Sequence, residues 1–488
     1  MLIGARILSL AASLVAVPVQ IALVGKDGFG VSVFIYSFAA LVWLVDPGYL
    51  EGAQYRLTEA HDLTDQDEFV QTWCDVWVIT VLIGLVGGLV FMGFRWIYPA
   101  PHYRGSQELL FLSGAAWFGT MVILTGLNQY LIAVRKLTEL ASMNFVNSVT
   151  TVVAATGFAW WTRDASGLIF GSALGNFVAI VIILLRIGQP VFIGPSKWKP
   201  RRWQRYLQIG FKSLGNRILN IATANADRLM LAPVLGQAPL ANLATAGRIP
   251  SALGDISGQL QTTVRPDITL AHLKSESELS RTFDRYTLLS MAVAVCLVLP
   301  ICSSSELLTL WLGNEKFATG GLIMLISAWG VVMAAYLSVM GIATIAVGRA
   351  NLIFPAMLVN AVATIGLTIP LANQFGLPGV AMIKPGVHLI TLVPLLLYLK
   401  STIVPSLDVR AHLIRVAGIL GVGIVGSVLA YCLNVTVWVQ RYPILVLPFA
   451  GIITYVMLQA IHRFSLAEIP DAIVRHGRLG RVKLRSSS

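Results

Sequence analysis

Residues 4–13 read GARILSLAAS and residues 215–224 read GNRILNIATA. Gly, Arg, Ile, Leu and one Ala coincide at an offset of 211 residues, which sets Arg6 against Arg217. The register continues without a gap to Val24-Gly25 opposite Leu235-Gly236, and each copy closes its apolar run there in a short turn. Recurrence of this kind is the mark of an internal duplication. Because the first copy matches the second, an N-terminal apolar run that could pass for a cleaved signal peptide is read as part of the protein.

Outward from these two stretches the same apolar texture covers the chain. Of 488 residues 56% are hydrophobic and 12% charged, with a mean hydropathy of +0.76. A soluble domain carries about 25% charge, so the sequence predicts an all-α, polytopic membrane protein. Apolar runs of spanning length are placed at 7–24, 31–50, 71–94, 107–131, 143–161, 167–186, 208–233, 240–263, 286–304, 320–346, 352–371, 379–398, 413–434 and 442–461, about 14 transmembrane helices in all. An even number puts both termini on one side. With that side cytoplasmic, 24 of the 35 lysines and arginines lie inside and six outside, as the positive-inside rule requires. The net charge of +12 is thereby a matter of topology, and nucleic acid is not an expected partner.

The first and seventh spans run in the same direction, so the duplication predicts two six-helix lobes in a parallel pseudo-repeat plus two C-terminal helices. The expected divisions are an N-terminal lobe at 1–186, a basic cytoplasmic linker at 187–206 that includes KWKPRRWQR, a C-terminal lobe at 207–398, additional helices at 399–461 and a basic tail at 462–488 lying on anionic lipid. Cys74, Cys296, Cys302 and Cys432 have no paired spacing and frame neither a metal site nor a disulfide set.

An ionised side chain within a span costs at least about 2.5 kcal/mol at the helix centre, so each is a candidate functional group. Lys212, Asn216, Asn220, Thr223 and Asp227 share one face of the seventh span, and Arg248, Asp255, Gln259 and Thr262 share one face of the eighth. Two such stripes are best placed on a wet cavity. Mutual neutralisation of Asp227 or Asp255 by Arg248 or Lys212 is the structural alternative. Cations still exceed acids within the spans, since Arg6, Lys212, Arg217, Arg228, Arg248 and Lys384 outnumber Asp46, Asp227 and Asp255. Surplus cation suits an anionic ligand, because guanidinium grips phosphate bidentately and lysine adds a point charge. Asp46-Pro47-Gly48, Gly247 to Pro250 and Lys384-Pro385-Gly386 are expected helix interruptions. His388, one turn beyond Lys384, is given no role. The chain has no GxxxxGK[ST], GxSxG or HExxH pattern, and its largest external loop, about Glu306 to Gly320, is short; transport is favoured over a membrane glycosyltransferase.

The hairpin Leu23-Val24-Gly25-Lys26-Asp27-Gly28-Phe29-Gly30, the element Asp46-Pro47-Gly48 and the following Arg56 resemble the start of Wzx-type polysaccharide flippases, with Phe29 in place of a Tyr. Asp227-Arg228-Leu229-Met230-Leu231, the Leu235-Gly236 turn, Leu310-Trp311-Leu312-Gly313 and the pair Gly376 and Gly379 extend the resemblance over nearly the whole chain. It implies the multidrug/oligosaccharidyl-lipid/polysaccharide exporter superfamily, alternating access, and a cationic cavity for a polyprenyl-diphosphate-linked oligosaccharide. It also implies membership of the lipid-linked glycan branch, since multidrug antiporters usually stop at twelve helices.

On this basis the expectation is a flippase of the inner membrane with both termini cytoplasmic, no catalysis and no cofactor or metal. Arg6, Arg56, Arg217, Arg248, Lys212 and Lys384 are expected to hold the diphosphate, and Asn216, Asn220, Thr223 and Gln259 to meet sugar hydroxyls. Asp46, Asp227 and Asp255 are the candidate ion-coupling groups. Expected partners are the lipid-linked oligosaccharide, membrane lipids, and a polysaccharide polymerase with its chain-length regulator. The rival is an ion-coupled antiporter of small solutes.

Overall fold

The computed structural model describes residues 2–46, 48–97, 105–134, 136–187, 201–302, 305–312, 320–347, 349–434 and 446–465. Among these there is no strand. The helices are α1 (Leu2–Val42), α2 (Tyr49–Asp62), α3 (Gln66–Ile97), α4 (Gln107–Ala133), α5 (Leu137–Thr162), α6 (Ala165–Ile187), α7 (Arg201–Leu235), α8 (Gln237–Lys274), α9 (Glu276–Cys302), α10 (Ser305–Leu312), α11 (Gly320–Ala346), α12 (Phe354–Ala381), α13 (Ile383–Thr402), α14 (Val409–Asn434) and α15 (Val446–Ser465). Nine stretches among the described residues are long and apolar enough to cross a membrane, and they include all of α4, α9, α11 and α13 and most of α3 and α14. The chain is thus a multi-pass, all-α membrane protein. With no water in hydrocarbon to satisfy the backbone, helices of this kind are what such a sequence can form.

The duplication has a backbone signature. Gly25 and Gly236 stand at the same offset of 211, and both adopt left-handed φ, 73° and 87°. Helical geometry breaks at Gly25 inside α1, and Gly236 is the one-residue joint between α7 and α8. Gly376 (φ 63°, ψ −150°) breaks α12 in the same manner. A side chain is disfavoured at all three.

Three elements differ from their sequence-based placement. The second span does not run to residue 50; a 3-10 turn at Trp43–Val45 ends it, and the amphipathic α2 follows. Leu50, Ala53, Leu57 and Ala60 recur at helical spacing and are buried, while the polar face of the same 14 residues hides the helix from a hydropathy reading. The Asp46 carboxylate starts α2 by accepting from the backbone N–H groups of Gly48 (3.1 Å) and Tyr49 (2.7 Å). Residues 201–206, expected as linker, form the first turns of α7: Tyr206 is buried and donates to Asp75 Oδ2 at 2.7 Å, and the Trp203 ring meets Tyr49 edge-on. Finally, α8 and α9 extend well past the apolar runs at 240–263 and 286–304, leaving only Ser275 between them.

Packing divides the chain into two compact units. One comprises 1–248, 311–313 and 357–383; the other comprises 249–310, 314–356 and 384–488. The core of the first holds Phe34, Phe38, Phe91, Phe111, Phe118 and Tyr130. Its α5 and α6 meet backbone to backbone at Gly171 and Gly175, while Gly167, four residues earlier, faces the Thr162 side chain. A Cβ on Gly175 would lie 2.3 Å from Thr151 Cα. Gly30 is equally constrained, with the Gln237 carbonyl 2.0 Å from where its Cβ would stand, and the Trp311 indole donates to the Leu14 carbonyl at 2.8 Å. In the second unit, Gly423 of α14 seats against Leu299, Trp329 and Val295, Gly426 faces Met457 of α15, and Thr454 donates to the Cys296 carbonyl at 2.8 Å.

Candidate functional site

Arg228 on α7 and Arg248 on α8 stand on either side of the Gly236 joint, both in the first unit. Arg228 lies eight residues before the turn and Arg248 twelve after it. Each is within electrostatic range of the other, and Arg248 is also in range of the Tyr36 hydroxyl on α1. Tyr36 is tied to Ser172 Oγ of α6 at 2.8 Å. Arg248 is exposed and Arg228 half-buried, and among the described residues neither has a carboxylate bonded to it. Two like charges within range repel each other, and an anion between them removes the repulsion.

The other sequence-predicted groups fall as follows. Arg56 is on α2, where its Nη1 is 2.7 Å from Glu59 Oε2 one turn along; the pair is partly exposed, and such contacts contribute little to stability. Asp227, next to Arg228, is buried, and its Oδ1 accepts from the Arg228 backbone N–H at 2.8 Å. Thr223 donates its hydroxyl to the Leu219 carbonyl at 2.8 Å, leaving lone pairs for a ligand. Lys384, in the second unit, is half-buried at the start of α13, where its charge acts on His388 one turn on. The backbones of Arg6, Lys212, Asn216, Arg217, Asn220, Asp255 and Gln259 lie in α1, α7 and α8, but their side chains lie outside the described residues. Pro47, much of the Glu306 to Gly320 loop, linker residues 188–200 and tail residues 466–488 are likewise outside.

Sequence reasoning passed over a second feature of the first unit because it weighed only charges within spans. Uncharged polar side chains cross-link α1, α4, α5 and α6. Gln20 donates to Thr156 (3.4 Å), Thr151 donates to Asn176 Oδ1 (3.0 Å), Asn176 Nδ2 reaches Thr120 (3.4 Å) and Thr150 reaches the Gly175 carbonyl (2.9 Å). The spacing of Asn144, Asn147 and Thr151, which share one face of α5, was the available signal. Among the described residues no group of three His, Cys, Asp or Glu side chains is placed to hold a metal ion.

A family model described as "Polysaccharide biosynthesis protein" matches residues 1–262. No curated protein matches the chain. Among solved structures, the lipid II flippase MurJ in an inward closed conformation is similar, with a TM-score of 0.68, 13% identity, and coverage of 94% of this chain and 97% of that one. An inward-facing multidrug resistance MATE family transporter of the MOP superfamily aligns with a TM-score of 0.64 and 10% identity over 81% of this chain and 98% of that one. The MATE multidrug transporter DinF-BH in complex with R6G gives 0.59 and 14%, over 82% and 95%. At these identities the likeness establishes a shared fold.

Proposed function

Because the chain belongs to the polysaccharide biosynthesis protein family, we propose that it is a flippase that carries a polyprenyl-diphosphate-linked oligosaccharide from the cytoplasmic to the external leaflet of the inner membrane. A sugar headgroup loses its hydrogen bonds in hydrocarbon at several kcal/mol per group, roughly. A wet, cationic path used by alternating access lowers that barrier while the lipid tail stays in the bilayer. The observation that supports the reading is that Arg228 and Arg248 lie within electrostatic range of one another, with no carboxylate bonded to either among the described residues. Two guanidinium forks match a diphosphate in charge and geometry.

Arg6, Arg56, Arg217, Lys212 and Lys384 supply further positive field along the path. Asn216, Asn220, Thr223 and Gln259 meet sugar hydroxyls, joined by the polar lattice around Asn176. The chain crosses the membrane fourteen times, counting α1 as two crossings divided at Gly25, and both termini are cytoplasmic. It carries out no covalent chemistry and passes its product to a polysaccharide polymerase with its chain-length regulator.

The MATE-like fold also fits an ion-coupled antiporter, and the burial of Asp46 and Asp227 favours that second reading. Against it, the MATE structures leave about a fifth of this chain unmatched, whereas the lipid II flippase structure spans 94% of it. Cells lacking the protein provide the test. Lipid-linked oligosaccharide should accumulate on the cytoplasmic leaflet, and normal delivery of it to the external leaflet would exclude the flippase reading.

A further inference from the structure

The second unit contains a chain of titratable groups that the diphosphate path does not use. Asp284 is two turns into α9, Tyr336 is in the middle of α11 and His412 is in the first turn of α14. His412 Nδ1 is 2.5 Å from Asp284 Oδ1, and His412 Nε2 is 2.9 Å from the Tyr336 hydroxyl. The second Asp284 oxygen is 2.8 Å from Arg415 Nη1. Side-chain exposure rises along the chain, from 0% at His412 through 14% at Asp284 to 36% at Arg415, so the cluster reaches the surface of the protein at its Arg415 edge. Phe283 lies stacked against the imidazole, and Tyr336 is fully buried on its other side.

These partners fix the hydrogens. With a neutral imidazole, Nδ1–H donates to the Asp284 carboxylate and Nε2 accepts the Tyr336 O–H. The Arg415 and Asp284 charges then cancel. A proton taken from water adds at Nε2 and makes an imidazolium. Nε2–H now donates to the Tyr336 oxygen, and the phenol must turn its own O–H elsewhere in a fully buried setting. The imidazolium also competes with Arg415 for one carboxylate. Protonation therefore alters the bonds that tie α11 and α9 to α14.

Other titratable groups stand on the helices packed around the imidazole. Tyr336 is the one titratable residue in the sequence of α11. Among the described side chains of α15 the one titratable group is Tyr455, which is exposed. On α9, Glu276, Glu278 and Arg281 are exposed and Arg285 and Tyr286 half-buried, and on α14 Arg410 is exposed. Asp408 caps the first turn of α14 by accepting from the Ala411 N–H at 3.1 Å.

We infer that His412 is a reversible proton-binding site, held between Asp284 and Tyr336, through which protons enter the transport cycle. The second half of this statement rests on the flippase reading; the proton site itself does not. A buried ionisable group in a membrane protein is a functional group by default.

Ring-labelled histidine NMR on the full chain in nanodiscs, from about pH 5 to 8, tests the site. His412→Gln assigns the signal, and His272→Gln, an exposed histidine outside the cluster, serves as control. The His412 ring signals should report gain of a proton as the medium is acidified, and Asp284→Asn, whose amide does not stabilise the imidazolium, should diminish that response. A His412 signal that stays constant across the window overturns the proton site. In proteoliposomes loaded with lipid-linked oligosaccharide, an imposed pH gradient should change the translocation rate of wild type and of His272→Gln, and the response should be lost in His412→Gln. A gradient response retained in His412→Gln overturns the coupling. Wild-type protein that moves no lipid-linked oligosaccharide under any gradient defeats the flippase reading and the coupling together, and leaves the titration to decide the proton site alone.

Discussion

Arg228 and Arg248 lie on α7 and α8, which Gly236 alone joins, and each is within electrostatic range of the other. If they clamp a diphosphate, lysine at either position keeps the charge and loses the bidentate fork. Arg248→Lys and Arg228→Lys should each weaken binding of the lipid-linked substrate about ten- to hundredfold, from the roughly 1.5–3 kcal/mol of a hydrogen bond to a charged group. Titration of the purified variants with that substrate provides the check. A structural pairing with Asp227 predicts instead that lysine restores function and that Arg248→Ala is rescued by neutralising the acid. At this scale the charges were legible in the sequence but their partners were not. Tyr36, 212 residues from Arg248, joins the site through tertiary packing that no local spacing encodes. Asp46 stood out as an intramembrane acid, while in the structure its carboxylate caps a polar helix that hydropathy does not register.

Between helices, contact distance is governed by side-chain size, and α5 and α6 approach as closely as glycine allows. Gly175→Ala puts a methyl group within 2.3 Å of the Thr151 backbone, and the pair must separate to accept it. Overpacking of this kind costs about 1–3 kcal/mol, so the melting temperature in detergent should fall. Gly157, on the facing helix, has nothing within 4 Å of a built Cβ, and Gly157→Ala should leave stability unchanged or raise it by up to about 1 kcal/mol. Equal losses from both substitutions would contradict the packing described. Strongly apolar helices such as α3, α4 and α11 were legible as runs, whereas α2 and the first turns of α7 were not. Their buried faces, Leu50, Ala53, Leu57 and Ala60 in one case and Trp203 and Tyr206 in the other, alternate with polar residues at helical spacing, so mean hydropathy over a window cancels the signal.

At the scale of the whole chain, Gly25 and Gly236 stand at the offset of 211 residues and both have left-handed φ. The two packing units could not be foreseen from it, since contacts of α7 with α1 and α2 draw that helix into the first unit. The charge asymmetry predicts cytoplasmic termini and a cytoplasmic segment at 188–200. Single cysteines placed at 197 and at 485 in a cysteine-free background should resist an impermeant thiol reagent in intact cells and react once the membrane is opened. The most direct measurement is leaflet-resolved transport itself: purified protein in proteoliposomes, polyprenyl-diphosphate oligosaccharide in the bilayer, and an impermeant enzyme or lectin that reports on the outer leaflet. Wild-type protein should equilibrate the substrate between leaflets and Arg248→Ala should slow that exchange at least about tenfold, the loss of one strong phosphate contact; exchange at the protein-free rate, or unchanged in Arg248→Ala, would contradict the account.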